Sequence, residues 1–452
     1  MEQVTEVHAL AEGSSLLPLG LTSRGLRREQ AKRRRLRERV GNPLIVGIDL
    51  ARENQAVSFH AGEIVGRRRL RCAPAEIYQR VLSDAEVLCK QYGRDRVLFS
   101  MEPAGHYWGL LAEQIEAHGG DYVLVHPLAV KREREGTRFN PEKRDPRDAD
   151  LVCVLTAAAK IIETRLFANR VDAQLNAFAR EYLLIRRAAA AEKTRLSNFW
   201  DRLFPEFSEV LRDVTSRTAL CIALALTDFT TLDSLTPAQW EERVREQAKG
   251  KRIQRNRVIA LFPHIHSAHA AAHRRMTDGL PVRIRHAAER RVLLEEQKST
   301  LAAEILRLYE TRPEAAYLDS IPGSLRLYNA LTLGLIGDFR LYDDPRAVVK
   351  LAGSEVNEYA SGEYRGRSRI SHRGRNLLRS VAYQQARQLI KANGDFAQRY
   401  FHLRNRTEHP RLVDQEARVA VANSYLRTTH VLVTQRQLYV SAAERGHKHA
   451  MI

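Results

Sequence analysis

The segment from Leu44 to Ile162 constrains the fold more than any other part of the chain. It begins with three short β-rich runs at 44–50, 56–60 and 63–70, and Ala61-Gly62 provides a turn between the last two. Helical and strand patterns then alternate, as a helix over 74–92, a strand over 96–100, a helix over 106–118, a strand over 122–126 and a helix over 146–162. This pattern predicts a sheet whose first three strands are antiparallel and whose later strands are separated by helices.

The same order of elements is found in the ribonuclease-H-like (RuvC-like) fold, which we predict for residues 44–165. From 166 to 312, apolar residues recur at three- and four-residue spacing, which predicts a region of long helices or coiled coil. Within that region, the polar, proline-punctuated stretch 204–273 indicates no particular fold. Residues 313–425 are expected to form a third, mainly helical domain and 426–452 a polar tail. The predicted class is therefore a multidomain protein of α/β plus α type.

The chain carries a large excess of positive charge, with 73 Lys and Arg residues against 54 Asp and Glu and a formal net charge of +19. Such an excess favours a polyanionic partner, and nucleic acid is favoured over an anionic membrane. The basic stretch within residues 1–43 is either a solvated arm or a nucleic-acid-binding arm. In either case we expect it to lie outside the first domain.

The four cysteines, Cys72, Cys89, Cys153 and Cys221, include no C-x-x-C pair, and no apolar leader follows the N-terminus. The longest apolar runs are far shorter than the roughly 20 residues that a membrane-spanning helix needs. We therefore expect a cytoplasmic protein that acts without a membrane.

Four carboxylates stand where a metal site of this fold is expected. Asp49 ends the first strand and Glu102 follows the fourth, so both side chains are expected at the edge of the sheet where ligands bind. Asp145 and Asp148 lie three residues apart at the start of a helix, on neighbouring parts of one face. Carboxylate oxygens are the ligands that hard divalent cations prefer, and the cluster predicts Mg²⁺ (or Mn²⁺) for phosphodiester chemistry.

The last pair of carboxylates has a simpler interpretation. Asp145 before Pro146 is a good helix N-cap, and Asp148 would interact favourably with the helix dipole. Taken alone, helix capping is the favoured reading, and Asp49 and Glu102 alone are equally weak signals. The joint placement of all four on the positions that a ribonuclease-H-like site uses favours metal binding.

Two basic clusters stand out in the sequence. The first lies beside the carboxylates and could be a solvated loop, but positive charge there is what binding of a nucleic-acid backbone requires. The second closely follows Ser361, and its guanidinium groups could bind a scissile phosphate. The predicted nucleic-acid-binding residues are Lys131, Arg132, Arg134, Arg138, Arg365, Arg367, Arg369, Arg373, Arg375 and Arg379.

Ordered sequence blocks carry a family resemblance. Gly47-Ile48-Asp49, Met101-Glu102-Pro103, Val125-His126-Pro127 and Lys143-Arg144-Asp145-Pro146-Arg147-Asp148 resemble the DEDD transposases of bacterial insertion sequences, relatives of the Piv DNA invertase. Ser320-Ile321-Pro322-Gly323, Ile336-Gly337-Asp338, Leu351-Ala352-Gly353, Ser361-Gly362 and the block from His372 to Arg379 resemble the second, transposase domain of that family. The resemblance covers about 44–425. One departure is that Ser324-Leu325 follows Gly323, where the family usually has a second glycine.

The resemblance implies a composite active site, in which Ser361 of one subunit acts as the nucleophile beside the carboxylates of another. It also implies a homo-oligomer, from dimer to tetramer, and a structured bridge RNA that pairs with target and donor DNA. By its residues alone, Ser361-Gly362 is more typical of a turn in a basic loop. The nearby serines Ser354, Ser368 and Ser371 are weaker candidates.

The sequence thus predicts a transposase or site-specific recombinase that cuts and rejoins DNA with a magnesium-binding carboxylate cluster and a serine nucleophile, guided by RNA. Two alternatives remain open. One is a RuvC-like, metal-dependent endonuclease or resolvase, which hydrolyses DNA without a covalent intermediate. The other is a non-catalytic nucleic-acid-binding relic of the same fold.

Overall fold

The computed structural model describes residues 23–103, 105, 107–136, 145–162, 170–203, 207–264, 279–357, 360–361, 364–365, 369–407 and 411–442. The chain divides into two compact units, Met1–Leu166 and Phe167–Ile452, which we call the sheet unit and the helical unit. Together they make a mixed α/β protein that is mostly helical, in agreement with the predicted class. Among the described helices, none is both long enough and apolar enough to cross a membrane.

The sheet unit is built on six strands in the order β3-β2-β1-β4-β5-β6. Strand β2 is antiparallel to both of its neighbours, β1 and β3. Strands β4 and β5 run parallel to β1, and β6 is antiparallel to β5. The strands are Leu44–Asp49, Asn54–His60, Ile64–Arg71, Val97–Met101, Asp121–Val125 and Ile161–Ile162. The helices of this unit are α1 (Ser23–Val40), α2 (Ile77–Gln91), α3 (Tyr107–Ala117), α4 (Pro127–Gly136) and α5 (Asp145–Ala157).

Both faces of the sheet are covered by helices. On one face, α2 and α3 pack on the strands through buried residues such as Ile77, Val81 and Leu111, which join Phe99 in a single apolar cluster. On the other face lie α5 and the end of α1. Because the central strands are buried on both sides, they are nearly continuous apolar runs, which explains why their bounds were predictable.

The end of the basic N-terminal segment belongs to the sheet unit. Leu36 and Val40 are buried against Leu98 and Val123, and the Arg39 guanidinium donates to both carboxylate oxygens of Asp121. Burial opposes ionisation of Asp121, but the hydrogen bonds and charge of Arg39 outweigh it, so the pKa of this carboxyl lies below its usual range. The prediction that residues 1–43 lie outside the first domain is wrong for this part, because two apolar residues one turn apart dock an otherwise arginine-rich helix.

Besides α1, the sequence pattern did not predict the described elements α4 and β6. Helix α4 is rich in charge and buries little besides Val130. The segment 131–136, interpreted as part of a basic loop, is therefore helical. Strand β6 has only two residues, and the predicted helix over 146–162 ends at Ala157.

Gly47 brings α5 into direct contact with the centre of the sheet. A Cβ atom at Gly47 would lie 2.5 Å from the sulfur of Cys153 and 2.6 Å from the carbonyl oxygen of Ala149. Helix and strand can approach this closely only because glycine has no side chain. Farther along, α5 is held by Asp150, which accepts hydrogen bonds from Ser58 and Arg67.

The helical unit is organised by two long antiparallel helices, α6 (Arg170–Leu203) and α12 (Leu280–Glu310), as the spacing of apolar residues predicts. The first half of α6, at Leu175 and Tyr182, shares a core with Ile305 near the end of α12. The end of α6, at Trp200, shares a second core with Ile284 near the start of α12. Each end of the helix pair therefore carries its own hydrophobic core.

The core at one end is completed by short helices within the stretch that the sequence left unassigned. They are α7 (Phe207–Val210), α8 (Arg217–Ala225), α9 (Phe229–Asp233), α10 (Pro237–Gln247) and α11 (255–264). Trp200 and Trp240 are fully buried among them. Ser216, Asp228 and Thr236 cap three of the helices with their side chains, so the polar residues that obscured the pattern mark helix starts.

The core at the other end is formed with α13 (Glu314–Asp319), α14 (Arg326–Ile336), α15 (Pro345–Leu351), α16 (Asn376–Lys391), α17 (Asp395–Asn405) and α18 (Asp414–Gln435). It contains a fully buried polar network in which Asn329 contacts Gln385 and the hydroxyl of Tyr425. Gly323, with φ of +75°, abuts α16 so closely that an added Cβ would overlap the Cβ of Ala392. The turn before α14 therefore requires glycine at this position.

Replacing Gly47 with alanine is expected to lower the free energy of unfolding by about 1–3 kcal/mol, because the added methyl group forces α5 away from β1. Urea unfolding followed by circular dichroism measures the change. The matched control is Gly109→Ala in α3, where nothing lies within 4 Å of the new Cβ. The control is expected to be neutral or stabilising, since alanine favours helix. Equal stability of the two variants would show that α5 is not seated through Gly47.

Candidate functional site

Asp49 and Glu102 lie side by side at one edge of the sheet. Strands β1 and β4 are parallel neighbours, and Ile48 is paired with Met101. Asp49 follows Ile48 and Glu102 follows Met101, so the same register places the two carboxylate residues next to each other where both strands end. Both are partly exposed. The sequence prediction that these two carboxylates come from adjacent strand ends agrees with this geometry.

Helix α5 brings Asp148 to the same strand. Ala149, the next residue, has its carbonyl oxygen against Gly47, two residues before Asp49. The side chain of Asp148 is only 7% exposed, and it accepts two hydrogen bonds from Arg134, at 3.0 and 2.8 Å. This bidentate pair between α4 and α5 was missed by sequence reasoning, which assigned Arg134 to nucleic-acid contact. The fourteen-residue separation of the two residues contains no periodic signal that would reveal it.

Asp145 begins α5, but its side chain lies outside the described residues. Among the residues that the structure does describe, no group of three or more His, Cys, Asp or Glu side chains is placed to hold a metal ion. The described geometry thus brings together the positions of Asp49, Glu102 and Asp148 on two strand ends and one helix, and it gives Asp148 an arginine partner.

The chemistry of this donor set fits a hard divalent cation. All four predicted ligands are carboxylates, which are the groups that Mg²⁺ takes in combination with water and phosphate oxygens. Asp148 already binds one cationic group, because both of its oxygens accept hydrogen bonds from the guanidinium of Arg134. The thiol of Cys153, which lies behind these carboxylates, is buried, and burial raises its pKa to about 12, so it is a poor metal ligand.

The predicted basic residues near the carboxylates fall into three groups. Lys131 and Arg132 are exposed on α4, where Lys131 lies 3.7 Å from Glu135. Arg134 is paired with Asp148. Arg138 lies outside the described residues. Their contact with nucleic acid stays a prediction.

Ser361 lies on a narrow β-ribbon of the helical unit. At its base, Val356–Asn357 (β7) pairs with Arg369–Ile370 (β10), and further out Ala360–Ser361 (β8) pairs with Tyr364–Arg365 (β9). Ser361 is directly opposite Tyr364, so it stands at the outer end of the described ribbon. Its side chain, like that of Arg365 and the whole of Arg367, lies outside the described residues. Of the weaker serine candidates, Ser354 is buried at 3% exposure.

The base of the ribbon is fixed by a close crossing of two chain segments. A Cβ at Gly374 would lie 2.4 Å from the amide nitrogen of Gly353 and 2.5 Å from the carbonyl oxygen of Leu351. The amide of His372 donates to the carbonyl of Gly353 across the same crossing. The glycines in both of these sequence blocks are therefore required for packing.

The described arginines from Arg369 in β10 to Arg379 in α16 differ in exposure and in their hydrogen-bond partners. Arg369 and Arg373 are exposed. Arg375 donates to the carbonyls of Leu335 and Ile336 at the end of α14, and its burial lowers the pKa of its guanidinium. Arg379 donates to the carbonyl of Ala352 at 2.8 Å. The last two arginines thus hold the ribbon's base, and the predicted role of all four in nucleic-acid binding stays untested.

The pair between Arg134 and Asp148 can be tested by a double-mutant cycle. Arg134→Gln leaves a buried carboxylate without its partner and is expected to lower the free energy of unfolding by about 1–3 kcal/mol. Adding Asp148→Asn is expected to recover part of that loss, because no buried charge then remains. Arg132→Gln, two residues before Arg134 on the same helix and exposed, is the control and is expected to change stability by less than about 0.5 kcal/mol. Additive effects of Arg134→Gln and Asp148→Asn would contradict the pairing.

Comparison with known families covers both units. A model of the DEDD transposases of the IS110 type matches residues 46–205, which include the sheet from the third residue of β1 to β6 and the helix α6. A model described as the transposase IS116/IS110/IS902 family matches residues 315–401, which include α14, the ribbon and α16. No curated protein matches the chain.

Proposed function

We propose how this chain cuts and transfers DNA strands, starting from the fact that it belongs to the IS116/IS110/IS902 family of DEDD transposases. The observation that carries the proposal is the placement of Asp49 and Glu102 on neighbouring strand ends, with α5 seated on Gly47 beside them. A ribonuclease-H-like, RuvC-like fold for the sheet unit is supported by the strand order and by the three antiparallel strands that precede the parallel pair.

DEDD transposases are generally dependent on divalent metal ions, and we assign the ligands here to Asp49, Glu102, Asp145 and Asp148. Mg²⁺ (or Mn²⁺) bound there would supply charge that polarises the scissile phosphate. The residues themselves do the positioning. The sheet register holds two carboxylates together, and the two hydrogen bonds from Arg134 fix the buried side chain of Asp148 in place. Arg134 can then exchange Asp148 for a phosphate of the arriving strand, which reconciles its pairing with its predicted role.

Ser361 is the proposed nucleophile. Its Oγ attacks the scissile phosphorus, the Oγ–P bond forms as the P–O3′ bond breaks, and the proton lost by the serine is balanced by one gained at the 3′ oxygen. The phosphoserine link conserves the energy of the phosphodiester, so a 3′ hydroxyl can later reverse the step and rejoin the strands. A serine on the outer part of a ribbon with an anchored base suits an attack on a bound strand.

Ser361 follows Glu102 by 259 residues and Asp148 by 213 residues along the chain. The proposed composite site joins Ser361 of one subunit to the carboxylates of another. DNA is the substrate of the family's enzymes. A structured guide RNA and a dimer-to-tetramer assembly complete the proposal, and the net charge of +19 supports extensive contact with nucleic acid.

The covalent step is tested by incubating the full chain with element-end DNA, guide RNA and Mg²⁺, followed by denaturing electrophoresis. We expect a protein–DNA adduct that Ser361→Ala abolishes and that Ser371→Ala leaves in place. Cleavage without any adduct in the unaltered chain would favour the hydrolytic endonuclease. An adduct that persists in Ser361→Ala would overturn the assignment of the nucleophile.

Metal binding separates an enzyme from a relic. Titration of the unaltered chain with Mn²⁺, followed by electron paramagnetic resonance of the free ion, is expected to show binding that Asp49→Asn and Glu102→Gln weaken at least tenfold. Asp84→Asn is the control, because Asp84 is paired with Arg68 on the outside of the sheet unit. A chain that binds DNA but no Mn²⁺, or one in which all three variants behave alike, would favour the relic.

A further inference from the structure

The helical unit contains a cavity of about 230 Å³ that the proposed reaction does not use. It lies between α15, α17, α18 and the start of β7. Three arginines line it, one from each helix: Arg346, Arg399 and Arg427. Asn423 and Glu355 complete its polar lining. The predicted nucleic-acid-binding set included none of these residues.

The three arginines lack acidic partners within the described part of the chain. No ion pair joins any of them to a described carboxylate, although Glu355 also lines the cavity. By contrast, the neighbouring Arg340 and Arg418 each pair with an aspartate, at 2.8 and 3.0 Å. Burial and, after it, the charges of Arg399 and Arg346 lower the pKa of the half-buried Arg427. Like charges gathered around a cavity oppose folding, so an anion placed there would relieve the repulsion.

Asn423 supplies a second, independent observation. Its Nδ2 donates to the carbonyl of Ser354 at 3.0 Å, which fixes the amide group. Its Oδ1 is buried and has no hydrogen-bond partner among the described residues. Buried acceptors without a donor are rare in proteins, and each one calls for an explanation. A ligand that carries a hydroxyl or amino group beside its negative charge would supply both missing interactions, and a nucleotide is such a ligand.

We propose that this cavity, the arginine pocket, binds a backbone phosphate of a nucleic-acid strand, with a sugar or base group of the same nucleotide donating to Asn423. The guanidinium groups bind phosphate oxygens, which they match in geometry. Val356, which also lines the pocket, is the first residue of the ribbon that carries Ser361. The pocket therefore anchors a strand next to the base of the ribbon. Only this last placement rests on the proposed role of Ser361; phosphate binding does not.

The first test measures binding of the full chain to fluorescent 20-nucleotide single-stranded DNA and RNA across potassium chloride concentrations, without divalent metal. All variants carry Ser361→Ala, so binding is read without any reaction. Arg427→Gln and Arg399→Gln are each expected to reduce the slope of log affinity against log salt by about 0.7, the value for one single-strand phosphate contact. The control is Arg387→Gln, which removes the same charge. Arg387 lies on α16, is exposed and donates a hydrogen bond to Gln384.

The two strands identify the source of the phosphate. A loss with DNA places the DNA strand in the pocket, and a loss with RNA places the guide there; either result supports phosphate binding. If Arg387→Gln reduces the slope as much as both pocket variants with both strands, the arginines contribute only general charge and the pocket is overturned. Because Arg399 is exposed, its variant keeps the test valid should Arg427→Gln fold poorly.

The rise in unfolding temperature on adding a ligand separates binding in the pocket from a general effect of positive charge. Inorganic pyrophosphate is expected to raise the unfolding temperature of the unaltered chain and of Arg387→Gln, and to raise that of Arg399→Gln and Arg427→Gln much less. An equal rise in all four proteins would overturn the pocket. The pocket and the nucleophile can fail separately. If pyrophosphate raises the unfolding temperature as expected but no covalent adduct forms, the assignment of Ser361 is rejected and the pocket is retained.

Discussion

The close contact between α5 and β1 at Gly47 is the constraint on which the sheet unit depends. Main-chain atoms of Ala149 and Cys153 on the helix, together with the Cys153 thiol, lie directly against the main chain of the central strand at Gly47. The depth at which α5 sits decides where Asp148 lies relative to Asp49, and Asp150 then fixes the helix against β2 and β3 through Ser58 and Arg67. The proposed carboxylate site would thus be supported by packing that leaves no room for an added methyl group at Gly47.

The parts of the fold that followed from the sequence are those with a strong local signal. The buried strands β1, β4 and β5 are continuous apolar runs, and α6 and α12 show clear three- and four-residue spacing. Docking of α1 through Leu36 and Val40 could not be predicted, because two apolar residues in an arginine-rich helix give almost no pattern. The helices around Trp200 and Trp240 also gave no clear sequence pattern, because they are short and several begin with polar capping residues.

The candidate site shows a similar division. The neighbouring positions of Asp49 and Glu102 follow from strand order and parallel pairing, which sequence can reveal. The partner of Asp148 does not, because the pair with Arg134 depends on how two helices cross. The same limit applies to arginines in general in this chain. Arg375 and Arg427 look alike in the sequence, yet one donates to helix-end carbonyls and the other stands with two further cations around a cavity.

The antiparallel pair of α6 and α12 makes the helical unit a spacer of set length. With a rise of 1.5 Å per residue, a helix of 31 residues such as α12 extends about 46 Å, roughly the length of 13 base pairs of DNA. The two hydrophobic cores grip opposite ends of this rod and share no part of its middle. Matched insertions of whole heptads into both helices would therefore lengthen the rod by about 10 Å each while leaving both cores their own contacts. Spacing between the two ends is thus a property that evolution can change without rebuilding either core.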